Sequence, residues 1–197
     1  MLPDILPCTP GYHKAGIIKW VYAYDESNWP VHEQIQNIED GYIVYIDSYH
    51  CNGRAIFGQL VSKYLLLYHQ SEAIIVQGKI RDAAAIIREK WPIWCSGYTP
   101  IGCFNDKPVH EIDQEWKNEH RNYYDGAIAV CDDCGVVVIP KEFHNETFLA
   151  SLFSIEEQED IWFERLDHYK ENTFDIVCRK KYLNDKAYML MRGKTET

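Results

Sequence analysis

Between positions 58 and 82 the chain carries residue types whose chemistry is complementary. Gly58-Gln59-Leu60-Val61 opens a run with helical spacing, and Arg81-Asp82 stands where an apolar strand gives way to the next helix. A helix N-terminus exposes free amide donors and the positive end of its macrodipole, which suits a carboxylate. Glycine lets a ligand approach the backbone closely. The Arg81 guanidinium can hold an oxygen pair by two parallel hydrogen bonds, and its charge does not titrate away. Asp82 offers hard oxygens for a divalent cation such as Mg or Mn, with water and substrate completing the shell. Such a set suits a small 2-oxo acid, whose carboxylate and keto oxygens chelate the metal. The metal then acts as Lewis acid while charge develops on the enolate oxygen. Helix capping accounts for the same residues, because Asp is a preferred N-cap and an adjacent Arg can pair on the surface. Spacing alone leaves both readings open.

The surrounding pattern is that of an α/β chain. Residues 16–24 are β-rich, Val31 to Ile38 has helical spacing, and Tyr42 to Asp47 is an apolar strand of the kind buried on both faces. Apolar positions between Gly58 and Gln70 follow a helical period. Ala73 to Val76 is a short strand, Ala83 to about Lys90 a strong helix former, and Pro92 to Cys95 another strand. Strands alternating with helices imply parallel pairing through right-handed crossovers. Residues 104–125 are polar and charged and have no assigned element. Ala127–Val130 and Val136–Ile139 read as a hairpin around Asp132-Asp133-Cys134-Gly135. Glu142 to Lys170 is helical in period, and Phe174 to Cys178 reads as a final strand. The expected organisation is an α/β domain over residues 1–140 with a C-terminal helical extension over 141–197, packed on the same domain or on a neighbouring subunit.

The 197 residues carry a formal net charge of −10, from 30 acidic and 20 basic side chains. Nucleic-acid binding needs a basic face and is not expected; an acidic surface instead leaves room for a basic protein partner. No apolar run approaches the length of a membrane span, and no secretory leader is evident. The seven cysteines are therefore read as reduced thiols of a cytoplasmic protein. Cys131-Asp132-Asp133-Cys134 has redox or zinc spacing but lacks a second pair, and a hairpin turn explains it. His50 beside Cys51 does not make a nucleophile–base pair, since adjacent residues rarely face each other. His110 and His120 are read as surface residues.

Four blocks in order carry a resemblance: Gly-Arg-Ala-Ile-Phe-Gly-Gln-Leu (53–60), Ile-Ile-Val-Gln-Gly-Lys-Ile-Arg-Asp (74–82), Pro-Ile-Trp-Cys-Ser-Gly-Tyr-Thr-Pro (92–100) and Ala-Val-Cys-Asp-Asp-Cys-Gly-Val-Val-Val-Ile-Pro (129–140). From about residue 16 to 140 the chain resembles the RraA-like family, which includes the regulator of ribonuclease activity A and the 4-hydroxy-4-methyl-2-oxoglutarate aldolases. The resemblance implies a swivelling α/β/α domain of the phosphohistidine-domain-like type, assembled as a homotrimer or hexamer with sites at subunit contacts. It also implies that Gly58, Gln59, Leu60 and Val61 bind substrate, that Arg81 binds substrate and steadies the enolate, and that Asp82 is the metal ligand. The implied reaction is retro-aldol cleavage of a 2-oxo acid to pyruvate, with oxaloacetate decarboxylation through the same enolate. The alternative it implies is a catalytically silent regulator that binds a basic protein such as an RNase.

The chain departs from the family pattern at three points. Gly58 and Arg81 are one residue further apart than usual, Gln59 stands where an acid is common, and Ala85 replaces an acid that in aldolases helps hold water on the metal. Glu156, Glu157 and Glu159 are candidates for a glutamate supplied by a neighbouring subunit, but a solvated acidic helix face is the favoured account of them. Some relatives are labelled menaquinone methyltransferases, but no glycine-rich nucleotide loop follows a first strand here.

Overall fold

Strands whose side chains are apolar on both faces form the centre of the structure, a computed structural model that describes residues 2, 4–185 and 188. In chain order the elements of the first unit are β1 (Leu6–Pro7), β2 (Lys14–Tyr24), α1 (Trp29–Gln34), β3 (Ile43–Tyr49), α2 (Gln59–Lys63, continued by a wider helical turn over Tyr64–Tyr68), β4 (Ala73–Ile80), α3 (Ala83–Arg88), β5 (Ile93–Tyr98), α4 (Gln114–Tyr124), β6 (Ile128–Asp132) and β7 (Gly135–Ile139). The mixed sheet runs β1-β5-β4-β3-β2-β6-β7. β2, β3, β4 and β5 pair in parallel, as the strand–helix alternation predicts.

The sheet nearly closes on itself. β1 pairs antiparallel with β5 at one edge, and the Leu2 amide donates to Val136 of β7 at the other, 2.9 Å away. Closure leaves two cores. Val44, Ile46, Ile74, Val76, Ile93 and Cys95 face outward under α1, α2 and α3. Their alternates Ile43, Tyr45, Ile75 and Trp94 face inward with Ile18, Trp20, Ala129 and Val138. The period of two along each strand divides the side chains between these cores, which is why β3 reads as an unbroken apolar run.

The polar segment 104–125 does contain an element. Asp113 accepts from the amides of Glu115 and Trp116 and caps α4, whose Trp116, His120 and Tyr124 share one face. Trp116 stacks on Tyr49 and Tyr124 on Tyr45, with ring centroids 4.6 and 4.4 Å apart. Aromatic side chains rather than an aliphatic stripe hold this helix, so its hydropathy pattern is faint. β4 runs four residues past its expected end, because the ladder with β5 resumes at Lys79–Gly97 after an irregularity.

Residues 144–197 form a second unit. Its long helix α5 (Glu146–Asp167) is capped by Asn145. Phe174–Cys178, expected as a strand, is a helical turn instead. Asn172 Oδ1 accepts the Asp175 amide at 3.0 Å, which starts the turn, and Ile176 is then fully buried in it. Local side-chain capping and burial outweigh the β preference of Ile176-Val177. Arg165 is buried in this unit between Glu171 and Asp185 and lies over the rings of Tyr169 and Tyr188. Among the described residues no helix is long and apolar enough to cross a membrane.

Candidate active site

The carboxyl ends of β4 and β5 lie side by side, and a third segment is stitched onto them. The Ile56 amide donates to Lys79 (2.8 Å) and the Arg81 amide to Phe57 (2.9 Å), so residues 55–57 extend the sheet beyond β4. On their other side, Ala55 donates to Ile101 (2.7 Å) and receives from Cys103 (3.0 Å). This stitching delivers Gly58, and with it the start of α2, to the Arg81-Asp82 corner.

Asp82 occupies the N-cap position of α3, yet its side chain makes no bond to that helix. Its backbone is left-handed (φ 61°, ψ 32°), a conformation that costs a non-glycine residue roughly 1–2 kcal/mol and that Asp tolerates better than most. The carboxylate turns instead to α2, where Oδ2 accepts the Gln59 amide at 3.0 Å. The local N-cap expected from sequence is thus replaced by a cap made across 23 residues. Gly58 is required here: a Cβ at this position would lie 2.1 Å from Asp82 Oδ2 and 2.8 Å from Arg81 Cγ.

Arg81 is half exposed, with Nε 3.9 Å from Asp82 Oδ2. Its guanidinium passes over Gly102, where a Cβ would come within 2.5 Å of Nη1. Arg54 holds that loop, donating to the Gly102 carbonyl (3.0 Å) and pairing with Glu26 (2.8 Å). Arg81, Asp82, Ala83, Tyr98, Thr99 and Pro100 line an open cleft of about 370 Å³. Partial burial and a hydrogen bond with Cys8 push the Tyr98 phenol up from its ordinary range.

The structure therefore brings Gly58, Gln59, Arg81 and Asp82 together. As the second and third residues of α2, Leu60 and Val61 have amides without an intrahelical acceptor. Their side chains lie elsewhere, bordering a separate apolar groove with His32, Ile35, Gln36 and Tyr64. Tyr98, Thr99, Pro100 and Gly102 are not among the site residues expected from the sequence. The signal that would have found them is their place at the carboxyl end of the strand beside β4.

A divalent cation fits this donor set in one manner. Asp82 Oδ2 is engaged by Gln59, while Oδ1 has no partner among the described residues. A small hard cation needs only one or two protein carboxylates when substrate and water fill the remaining positions. No group of three or more His, Cys, Asp or Glu converges among the described residues, and Ala85 adds no oxygen. Glu156, Glu157 and Glu159 lie on α5 in the second unit.

Other candidates resolve differently. Cys131 points into the inner core while Cys134 is exposed on the hairpin turn, where its amide donates to Asp132 (2.7 Å). His50 stacks on Tyr49 and Cys51 is buried, so they form no reactive pair. His110 is exposed. His120 is not a plain surface residue, for its Nδ1 lies 2.5 Å from the buried carboxylate of Asp47. The i+4 stripe of α4 turns His120 inward, a placement hidden while that segment had no assigned helix.

The chain has no match among curated protein sequences. Solved structures share its fold. An uncharacterized protein from Pseudomonas syringae pv. tomato is 22% identical with a TM-score of 0.63, covering 84% of this chain and 78% of that one. RraAS2 of Streptomyces coelicolor, described as an unusual member of the RNase ES inhibitor RraA family, is 22% identical with a TM-score of 0.59 and 80% of each chain covered. The RNA-processing inhibitor RraA from Thermus thermophilis is 15% identical with a TM-score of 0.53, covering 70% and 82%. The RraA-like family model, described as Aldolase/RraA, matches residues 2–138, well over half of the 197 residues, and the chain belongs to that family of aldolases and RNase inhibitors.

Proposed function

We propose that the protein is a divalent-metal-dependent lyase that cleaves a small 2-oxo acid to pyruvate, by retro-aldol cleavage of a 4-hydroxy-4-methyl-2-oxoglutarate-type substrate or by decarboxylation of oxaloacetate. One observation carries this reading: Arg81 and Asp82 line the same cleft, with the α2 N-terminus fixed beside them by the Asp82–Gln59 bond. Asp82 would hold Mg or Mn through Oδ1, and the bound cation would supply Lewis-acid polarisation of the substrate's keto oxygen. The amides of Leu60 and Val61, with the positive end of α2, receive the substrate carboxylate. The Arg81 guanidinium is the fixed charge that stabilises the negative oxygen developing as the carbon–carbon bond breaks. Gly58 keeps the approach to these amides clear.

A homotrimer or hexamer is part of the proposal, with α5 of a neighbouring subunit as the source of a further carboxylate from Glu156, Glu157 or Glu159. Ala85 favours a second reading, a silent regulator that docks a basic protein segment on its acidic surface. Metal-supplemented turnover on a panel of 2-oxo acids, coupled to pyruvate detection, separates the two. The lyase reading expects pyruvate release that EDTA abolishes, and it fails if no substrate of the panel turns over. Capture of a basic RNase-type partner by the inactive protein would then support the regulator.

A further inference from the structure

Two buried thiols meet where β1 pairs with β5. Cys8 follows β1 at the sheet edge, Cys95 lies within β5, and their sulfurs are 3.6 Å apart with only 7% and 4% of each residue exposed. The Cys8 amide is anchored to Ile93 at 2.7 Å, which sets Cys8 diagonally across the ladder from Cys95. β1 is two residues long, and an exposed bend follows it at residues 10–11. Cys8 can therefore shift toward β5 without disturbing the inner strands.

We propose that Cys8 and Cys95 are an oxidation site, a dithiol that a small peroxide converts to a disulfide joining the N-terminal segment to β5. The assignment is independent of the lyase reading. The hydrogen bond between the two thiols favours the thiolate at Cys95 and holds that thiol below its ordinary range, while Cys8 is pushed up. Cys95 thiolate attacks one oxygen of hydrogen peroxide, the O–O bond breaks, and hydroxide leaves to be protonated to water. The product is a sulfenic acid at Cys95. The Cys8 sulfur then attacks the Cys95 sulfur, expelling the sulfenic hydroxyl, which leaves as a second water by taking the Cys8 thiol proton. Two thiols are oxidised and one peroxide is reduced to two waters. Closure to the S–S distance of about 2.05 Å fastens the N-terminal segment to β5, the strand that carries Tyr98 of the cleft.

The experiment is titration of the full-length protein with hydrogen peroxide, followed by non-reducing peptide mapping. The expected result is a Cys8–Cys95 linked peptide, a mass loss of two hydrogens, and a higher Tm that dithiothreitol reverses. In Cys8→Ser the sulfenic acid at Cys95 persists and is trapped by dimedone added with denaturant. The proposal is overturned if Cys8 and Cys95 of the wild-type protein stay alkylatable while exposed Cys134 and Cys178 take up the oxidation. The wild-type map decides the matter even if the Ser variant does not fold.

Discussion

The carboxylate of Asp82 accepts the backbone amide of Gln59 at 3.0 Å, binding the N-terminus of α2 to the strand end that carries Arg81. One side chain thus does the structural work of a cap and stands in the proposed site. Asn and Ala at position 82 separate those roles. Asp82→Asn keeps an oxygen that can cap α2 and is expected to change stability little, whereas Asp82→Ala loses about 1 kcal/mol. Both lose the charged oxygen proposed for the metal, so both lose activity. Urea unfolding midpoints set beside turnover check the split.

Gly58→Ala is expected to be severe for a local reason. Its methyl group would overlap Asp82 Oδ2 and crowd Arg81 Cγ, so the carboxylate must leave Gln59 or α2 must shift. A loss of about 1–3 kcal/mol is expected from overpacking, together with loss of turnover. Thermal unfolding and the pyruvate assay measure the two effects.

The Gly102 loop under Arg81 makes a pH-dependent prediction. Hydrogen bonds from Asn52 and then Arg54 hold the Glu26 carboxyl below its ordinary value. A depressed carboxylate pKa contributes stability that is complete above the unfolded-state value, near 4.5. It is lost as pH falls through the lower folded value. Glu26→Gln should therefore flatten the acid limb of a stability–pH curve below about 4.5 and lower the neutral-pH midpoint by the same modest amount, because the pair is partly exposed to solvent.

His120 and Asp47 should be coupled energetically. Asp47 is 2% exposed and receives the Trp20 indole N–H at 3.3 Å in addition to its His120 contact. His120→Ala removes one partner of a buried acceptor and is expected to cost about 1–3 kcal/mol. His120→Ala combined with Asp47→Asn should cost less than the sum of the two changes. A double-mutant cycle by denaturant unfolding checks this, and additivity would show that α4 is held by its aromatic stacking alone.

The legibility of the chain followed the range of its interactions. The parallel core was readable because β3 and β4 are apolar on both faces, and the family blocks identified Arg81 and Asp82 by type. The 131–134 turn was readable because Asp and Gly state turn chemistry locally. α4 was not, since its fixing contacts are aromatic stacks and one buried carboxylate brought from strands far away in the chain. The Asp82–Gln59 cap was equally hidden: an Asp before a helix predicts a bond to that helix, and only the left-handed backbone redirects it. Tyr98 and Gly102 join the site through strand adjacency, which no local pattern encodes.

The most direct measurement is pyruvate formation from 4-hydroxy-4-methyl-2-oxoglutarate and from oxaloacetate with Mg or Mn, comparing the wild-type protein with Arg81→Ala and Asp82→Ala. The account predicts turnover by the wild type on at least one substrate, its loss with EDTA, and a fall of roughly 100-fold or more in each folded variant. Unchanged activity in both variants would contradict it.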